Sequence, residues 1–206
     1  MSEIIIVDYD AGNIGSVLNI CKKAGGKAEI SSDPERIAGA RKLILPGVGH
    51  FARAMERLRS SGIRDALDTA HGRGAPILGI CLGMQLLTSH SEEGDAAGLG
   101  WVDAVTRRFD LPPNFKVPHM GWNQVELTRP DPLTEGMEDE ARFYFVHSYY
   151  VEQGNEAAVL GRSEYGGRFV SMLQQGNVWG FQGHPEKSHR YGLAMIRNFI
   201  EKVPPP

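Results

Sequence analysis

Cysteine is scarce in this chain: there are two, Cys21 and Cys81, among 206 residues, and neither sits in a CxxC pair or at a metal-ligand spacing. That argues against a disulfide framework and leaves no cysteine-based metal centre. Long apolar runs are missing too. The longest are EIIIV at 3–7 and KLILP at 42–46, far short of the ~20 residues that cross a bilayer, so no membrane role is expected. Charge of one sign is not in surplus: 22 Lys and Arg face 25 Asp and Glu, scattered along the chain, and without a sustained positive field nucleic acid is not expected as a partner. No charged start followed by an apolar stretch and a cleavage site is present, which points to an unexported, cytoplasmic protein. The glycines of DAGNIGS lack the phosphate-loop spacing and its Lys-Ser/Thr pair, so neither a nucleotide cofactor nor any other cofactor or metal is expected.

What is present is a regular texture. The first half alternates short apolar runs with helical patterns, the signature of stacked βαβ units and a mostly parallel sheet. EIIIVDY, KAEIS, RKLILP and APILGI read as strands. Asn13 to Ala24, a short segment opened by Asp33-Pro34, Phe51 to Arg59 and Ile63 to His71 read as helices. Cys21 falls on the apolar face of the first helix with Ile14, Val17 and Leu18, as a buried structural thiol. After residue 100 the texture becomes strand-rich: GWVDAVTRRF, NQVELT, ARFYFVHSYYV, AAVLGRSE, RFVSMLQQ and VWGFQ follow one another before a last helix, SHRYGLAMIRNFIEKV, and Pro204 to Pro206. No linker-like tract divides the halves, so residues 1–206 read as one α/β domain whose second part is antiparallel or mixed sheet.

Cys81 lies between Gly79 and Gly83 where an apolar strand ends, in GICLG. A nucleophile on a sharp strand-to-helix turn needs small neighbours, because the turn is strained and a substrate must come close. The N-terminus of the following helix would favour thiolate and leave the sulfur exposed. A base is supplied by His184-Pro185-Glu186, after another apolar strand: residues two apart in an extended segment share a side, so the carboxylate can orient the imidazole towards the thiol. Pro46-Gly47-Val48-Gly49 ends a third strand, and its peptide N–H could share an oxyanion with that of Leu82. Each element alone also suits an ordinary turn or a surface pair.

Together these residues resemble the triad glutamine amidotransferases, whose GxCxGxQ and HPE motifs stand here as Gly79 to Gln85 and His184 to Glu186. PGVGHFARAM, PHMGWNQV, FYFVHSYY and HPEKS are more narrowly similar to the glutaminase subunits of imidazole glycerol phosphate synthase. The resemblance implies a three-layer, flavodoxin-like, open and mostly parallel sheet with helices on both faces. It implies that Cys81 attacks the glutamine amide, His184 protonates the departing ammonia and Glu186 holds His184, with the oxyanion hole at Gly47, Val48 and Leu82. Gly49, Gln85, Glu93, Ser148 and Tyr149 would form the glutamine pocket. Met120, Trp122, Asn123 and Tyr144 would meet a (β/α)8 cyclase subunit that takes the ammonia and makes imidazole glycerol phosphate and an aminoimidazole-carboxamide ribotide in histidine biosynthesis.

Two departures from the family pattern stand out. Gly183 stands where most relatives carry an aromatic residue, which removes a packing group beside the base, and Asp10 and Ala11 replace a glycine and a bulkier residue. HPEKSHRYG also resembles paralogues that feed ammonia to barrels amidinating surface sugars. A cysteine peptidase or redox-stress hydrolase of similar architecture, and a regulatory module with an inert triad, are the competing readings.

Overall fold

Ile4–Val7, the first strand (β1), is apolar and buried at every position, which a strand sustains only when both faces are covered. The computed structural model, which describes residues 4–10, 12–137 and 141–205, shows the cover; Glu3, Ala11 and Pro206 lie outside the described residues. The chain continues through α1 (Ile14–Lys23), β2 (Ala28–Ser31), α2 (Pro34–Ala38), β3 (Lys42–Gly47), α3 (Phe51–Ser60), α4 (Ile63–Gly72), β4 (Ile77–Cys81) and α5 (Leu82–Leu86). β1 pairs in parallel with β2 and β3, and β3 with β4. Ile4 and Ile6 pack on one face with Val17 and Ile20 of α1. Ile5 and Val7 pack on the other with Ile37 of α2, Met55 of α3 and Leu67 of α4. Cys21 is in the first of these cores as a buried thiol, which burial pushes up to about 12.

The second half supplies β5 (Thr88–Ser91), β6 (Ala96–Ala97), β7 (Val102–Arg108), β8 (His119–Gln124), β9 (Glu126–Leu127), β10 (Arg142–His147), β11 (Tyr149–Gln153), β12 (Val159–Glu164), β13 (Arg168–Gln175), β14 (Val178–Phe181) and α6 (His189–Glu201). Among the described residues one sheet runs β2-β1-β3-β4-β14-β13-β11-β7-β5-β6, with β12 and β9 attached at β13. β14 lies parallel to β4, then β13, β11 and β7 continue the sheet antiparallel. The parallel block therefore has the flavodoxin-like doubly wound order, its fifth strand coming from the end of the chain. β8 and β10 form a separate antiparallel pair, whose Phe143 and Phe145 cover the α1 and α6 face of the large sheet. No helix among the described residues is long and apolar enough to cross a membrane.

Two expected strands are each broken in two. ARFYFVHSYYV is β10 and β11, in different sheets with Ser148 at the corner. Both strands bury odd-numbered residues, among them Phe143, Phe145 and Val151, so the alternation runs straight across the corner and hides the change of partner. NQVELT is likewise divided at Val125, between the end of β8 and β9. β5 (TSHS) is polar and β6 is only two residues long, so neither carries an apolar signal.

Candidate active site

Because β3, β4 and β14 are adjacent and parallel, their C-terminal ends converge, with Gly47 opposite Cys81 and Phe181 opposite Ile80. This is the edge at which open α/β sheets hold ligands. Cys81 has φ 55° and ψ −111°, outside the regions open to ordinary L-residues, a strain of order 1–3 kcal/mol that surrounding structure must hold in place. The two glycines serve that purpose, although not by opening space for substrate. A Cβ on Gly83 would lie 1.8 Å from the carbonyl oxygen of Leu45, and one on Gly79 would lie 2.6 Å from that of Gly83. Their absent side chains let α5 press against the backbone of β3 and β4. Tyr9 donates its buried hydroxyl to the carbonyl of Pro46 at 2.7 Å and fixes the start of the PGVG segment.

His184, itself extended, opens a 3₁₀ turn, Pro185–Lys187, that carries Glu186, in place of the continuous extended segment expected; the fixed φ of proline suits the first position of such a turn. The carboxylate still reaches the ring, with His184 Nδ1 and Glu186 Oε1 2.8 Å apart. Asn13 Nδ2 donates to the same oxygen at 2.5 Å. The turn is pinned to β10 twice at one residue: His184 N donates to Tyr144 O at 2.8 Å, and Tyr144 N donates to Ser188 Oγ at 3.0 Å. α6 closes over it at Gly192, where a Cβ would stand 1.9 Å from the carbonyl oxygen of Pro185. Gly183 does not leave a hole beside the base, since the ring of Phe181 fills that place at 2.6 Å from where a Cβ would sit.

Burial opposes charge on His184, but the Cys81 sulfur and the Glu186 carboxylate outweigh it and raise the imidazole to about 10. Burial likewise opposes charge on Glu186, and its bonds to His184 and Asn13 reverse that and lower it. Nε2 of His184 is buried without a formed hydrogen bond, although Cys81 is near enough to act on the ring's charge. Cys81 itself is 7% exposed, so the expected exposed thiol is instead a recessed one that reaches solvent through a cavity.

That cavity, of about 320 Å³, brings together Cys81, His184, Val48, Gly49, Leu82, Gln85, Glu93, Ser148 and Tyr149. Gly47 sits behind it, packed against Tyr9 and Leu82. Glu93 Oε2 accepts from Phe51 N at 2.8 Å and caps α3 at the cavity wall. A larger cleft along residues 127–137 contains none of these groups. Pro118 and Val146 form another wall of the Cys81 cavity, and next to them on the solvent face of β8 and β10 stand Met120, 61% exposed, Trp122, 49% exposed, and half-buried Tyr144. Asn123 lies on the opposite face of β8, where Nδ2 donates to Glu164 O at 2.9 Å.

Asn13, Gln182, His119 and His147 were not singled out in the sequence. Asn13 reads there only as the start of a helix. Gln182 and His147 sit inside motifs whose other members draw attention, and His119 follows a proline in PHMGWN. One local signal existed: a helix opened by Asn13 after DAG implies a left-handed turn, and Asn13 has φ 61°.

The description "Glutamine amidotransferase class-I" fits residues 6–203. A Pseudomonas aeruginosa protein named imidazole glycerol phosphate synthase subunit HisH 2 is 46% identical over 201 residues, 97% of this chain and 100% of its own. A Moorella thermoacetica protein named imidazole glycerol phosphate synthase subunit HisH is 48% identical over 204 residues, 98% of this chain and 96% of its own. Among solved structures, PurLQS from Thermotoga maritima superposes with a TM-score of 0.74 at 18% identity, over 97% of this chain and 98% of that one. A glutamine amidotransferase from Thermotoga maritima gives a TM-score of 0.69 at 15% identity, over 97% and 96%; at these identities the likeness concerns the fold. This chain belongs to the class-I glutamine amidotransferase family.

Proposed function

We propose that this chain, as one cytoplasmic domain, is the glutaminase subunit of an imidazole glycerol phosphate synthase and passes ammonia to a (β/α)8 cyclase partner. The observation that carries the chemistry is one cavity holding Cys81 on its strained turn and His184, whose Nδ1 is taken by buried Glu186 while Nε2 stays free. The relatives named as HisH subunits carry the pathway.

In this reading glutamine enters with its α-amino group at Glu93 and its carboxylate near Gly49, Ser148 and Tyr149, while Gln85 backs the pocket. Cys81 Sγ, its proton passed to His184, attacks the side-chain amide carbon. The resulting oxyanion is met by the N–H of Leu82, unpaired at the first position of α5, and by an N–H of the Gly47-Val48-Gly49 segment. His184 Nε2 gives its proton to the leaving nitrogen, ammonia departs and a glutamyl thioester remains. Water, deprotonated by His184, then attacks the thioester, releases glutamate and restores the thiol. Exposed Met120 and Trp122 and half-buried Tyr144 beside the cavity supply an apolar face for the partner. Docking there carries ammonia out of the cavity into the barrel instead of into water.

The test is glutamate release by the full chain, alone and mixed with candidate barrel subunits and their nucleotide acceptors. Slow release alone, a large rise with an imidazole glycerol phosphate synthase barrel, and loss of turnover in Cys81→Ala are expected. A rise only with an amidination barrel would overturn the pathway, and turnover by Cys81→Ala would overturn the chemistry.

A further inference from the structure

Gln182 is fully buried beside Cys81, and the proposed mechanism gives it no task. Its carboxamide is held in one orientation, which follows from the acceptors around it. Gln85 Nε2 donates to the carbonyl of Tyr149 at 3.1 Å and to Gln182 Oε1 at 3.0 Å. A carbonyl can only accept, so the nitrogen of Gln85 must face Tyr149, the oxygen of Gln182 must face Gln85, and the Gln182 N–H is left for Cys81 Sγ, 3.8 Å away.

The carbonyl of Tyr149 is fixed from its other side as well. His147 Nδ1 lies 2.7 Å from it and must be the donor. That leaves His147 Nε2 to accept from His119 Nδ1 at 3.0 Å, and His119 Nε2 to accept from Asn123 Nδ2 at 3.3 Å. The row starts on the acceptor-only carbonyl of Tyr149 and ends on an Asn123 amide nitrogen that also donates to Glu164 O, so the tautomers of both histidines are determined. A proton on His147 Nε2 would set two donors against each other. Burial prevents this, pushing His147 down to about 3 and His119 down to about 4.

We infer that Gln182 is a positioning residue for the nucleophile: locked by Gln85 and, through the Tyr149 carbonyl, by His147, His119 and Asn123, it presents an N–H that holds the Cys81 sulfur, as thiolate, at the point of attack. A neutral amide does this without adding a charge that would compete with His184, and hydrogen bonds to an ionised acceptor are the stronger kind. The inference rests on Cys81 being the nucleophile of the proposed glutaminase. It places the control of that sulfur partly in a row of side chains ending on β8, the strand whose opposite face carries Met120 and Trp122.

The test is the pH dependence of Cys81 alkylation by iodoacetamide in the full chain, with Cys81→Ala as blank, alongside kcat and KM for glutamine in the partner complex. In Gln182→Met the alkylation profile should move to higher pH by about one unit, and kcat should fall about ten- to a hundredfold with KM changed less than about threefold. Should Gln182→Met not fold, Gln182→Leu removes the donor without adding a charge, and its profile should move the same way. His119→Phe, further along the row, should shift the profile in the same direction by less. A folded Gln182 variant with an unmoved profile and kcat within about twofold of the parent overturns the inference, as does an unmoved profile in His119→Phe. Alkylation needs no glutamine, so a wild-type chain that alkylates normally but never turns over glutamine would count against the proposed function and not against this row.

Discussion

Crowding differs between two glycines, Gly83 of α5 against the parallel strands and Gly161 of β12 in the antiparallel part. At the parallel end, a Cβ on Gly83 would run into the backbone of β3, 1.8 Å from the Leu45 carbonyl oxygen. At the antiparallel end, a Cβ on Gly161 of β12 would meet first a methyl group of Val125 at 2.7 Å, a side chain able to turn aside. Cys81, the proposed nucleophile, is thus set by main chain packed on main chain, an arrangement with no slack. The turn that carries the base is crowded against main chain too, at Gly192, but its imidazole and the pocket are oriented by side-chain hydrogen bonds: Asn13 and His184 on Glu186, and Gln85 between Tyr149 and Gln182. The first kind of order is lost all at once, whereas the second can be weakened one bond at a time.

The sharpest way to break that contrast is to fill both glycines. Gly83→Ala should cost at least about 3 kcal/mol and leave little folded protein, while Gly161→Ala should cost about 1 kcal/mol, both read by denaturant unfolding. Similar losses at the two sites would mean that backbone crowding does not set the nucleophile apart. Asn13→Ala tests the graded kind of order. Glu186 keeps His184 but loses its second donor, so kcat should fall about tenfold with little change in unfolding midpoint; an unchanged kcat would remove Asn13 from the catalytic arrangement.

A smaller effect is expected in the pH dependence of stability. The folded state raises His184 from 6.5 to about 10, so between those values it holds a proton that the unfolded chain has released. That contribution is complete below about pH 6.5 and is lost as pH rises through about 10. Glu186 is lowered, so its contribution is present above its ordinary carboxylate range and is lost as pH falls through its folded value. In Glu186→Gln the fall of thermal midpoint from pH 7 towards 10 should therefore be shallower than in the parent. Equal slopes would show that the imidazole is not held charged by that carboxylate.

The same contrast decides how much could be read from sequence. Helices and strands up to Cys81 are legible because βαβ units are local: apolar period, proline at Pro34 and glycines at Gly25 and Gly26 mark each element where it begins or ends. Cys81, His184, Glu186 and Gln85 are legible because each belongs to a short motif with its own turn chemistry. The corner at Ser148 is not, since two strands in different sheets bury residues of the same parity. Nor are Asn13 and Gln182. Their roles arise from pairings with residues 173 and 101 positions away, Glu186 and Cys81, and a polar residue carries no periodic sign of a partner that distant. The glycines beside Cys81 stand out in the sequence but their purpose does not, because a sequence cannot tell space kept for a substrate from space filled by the chain's own backbone.

The most direct test of the central claim is to quench the complex during turnover of labelled glutamine at acid pH and map the label by peptide mass spectrometry. A glutamyl thioester on the peptide containing Cys81, absent from Cys81→Ala, is the expected result. Labelled glutamate released at full rate with no adduct at Cys81 would contradict the account.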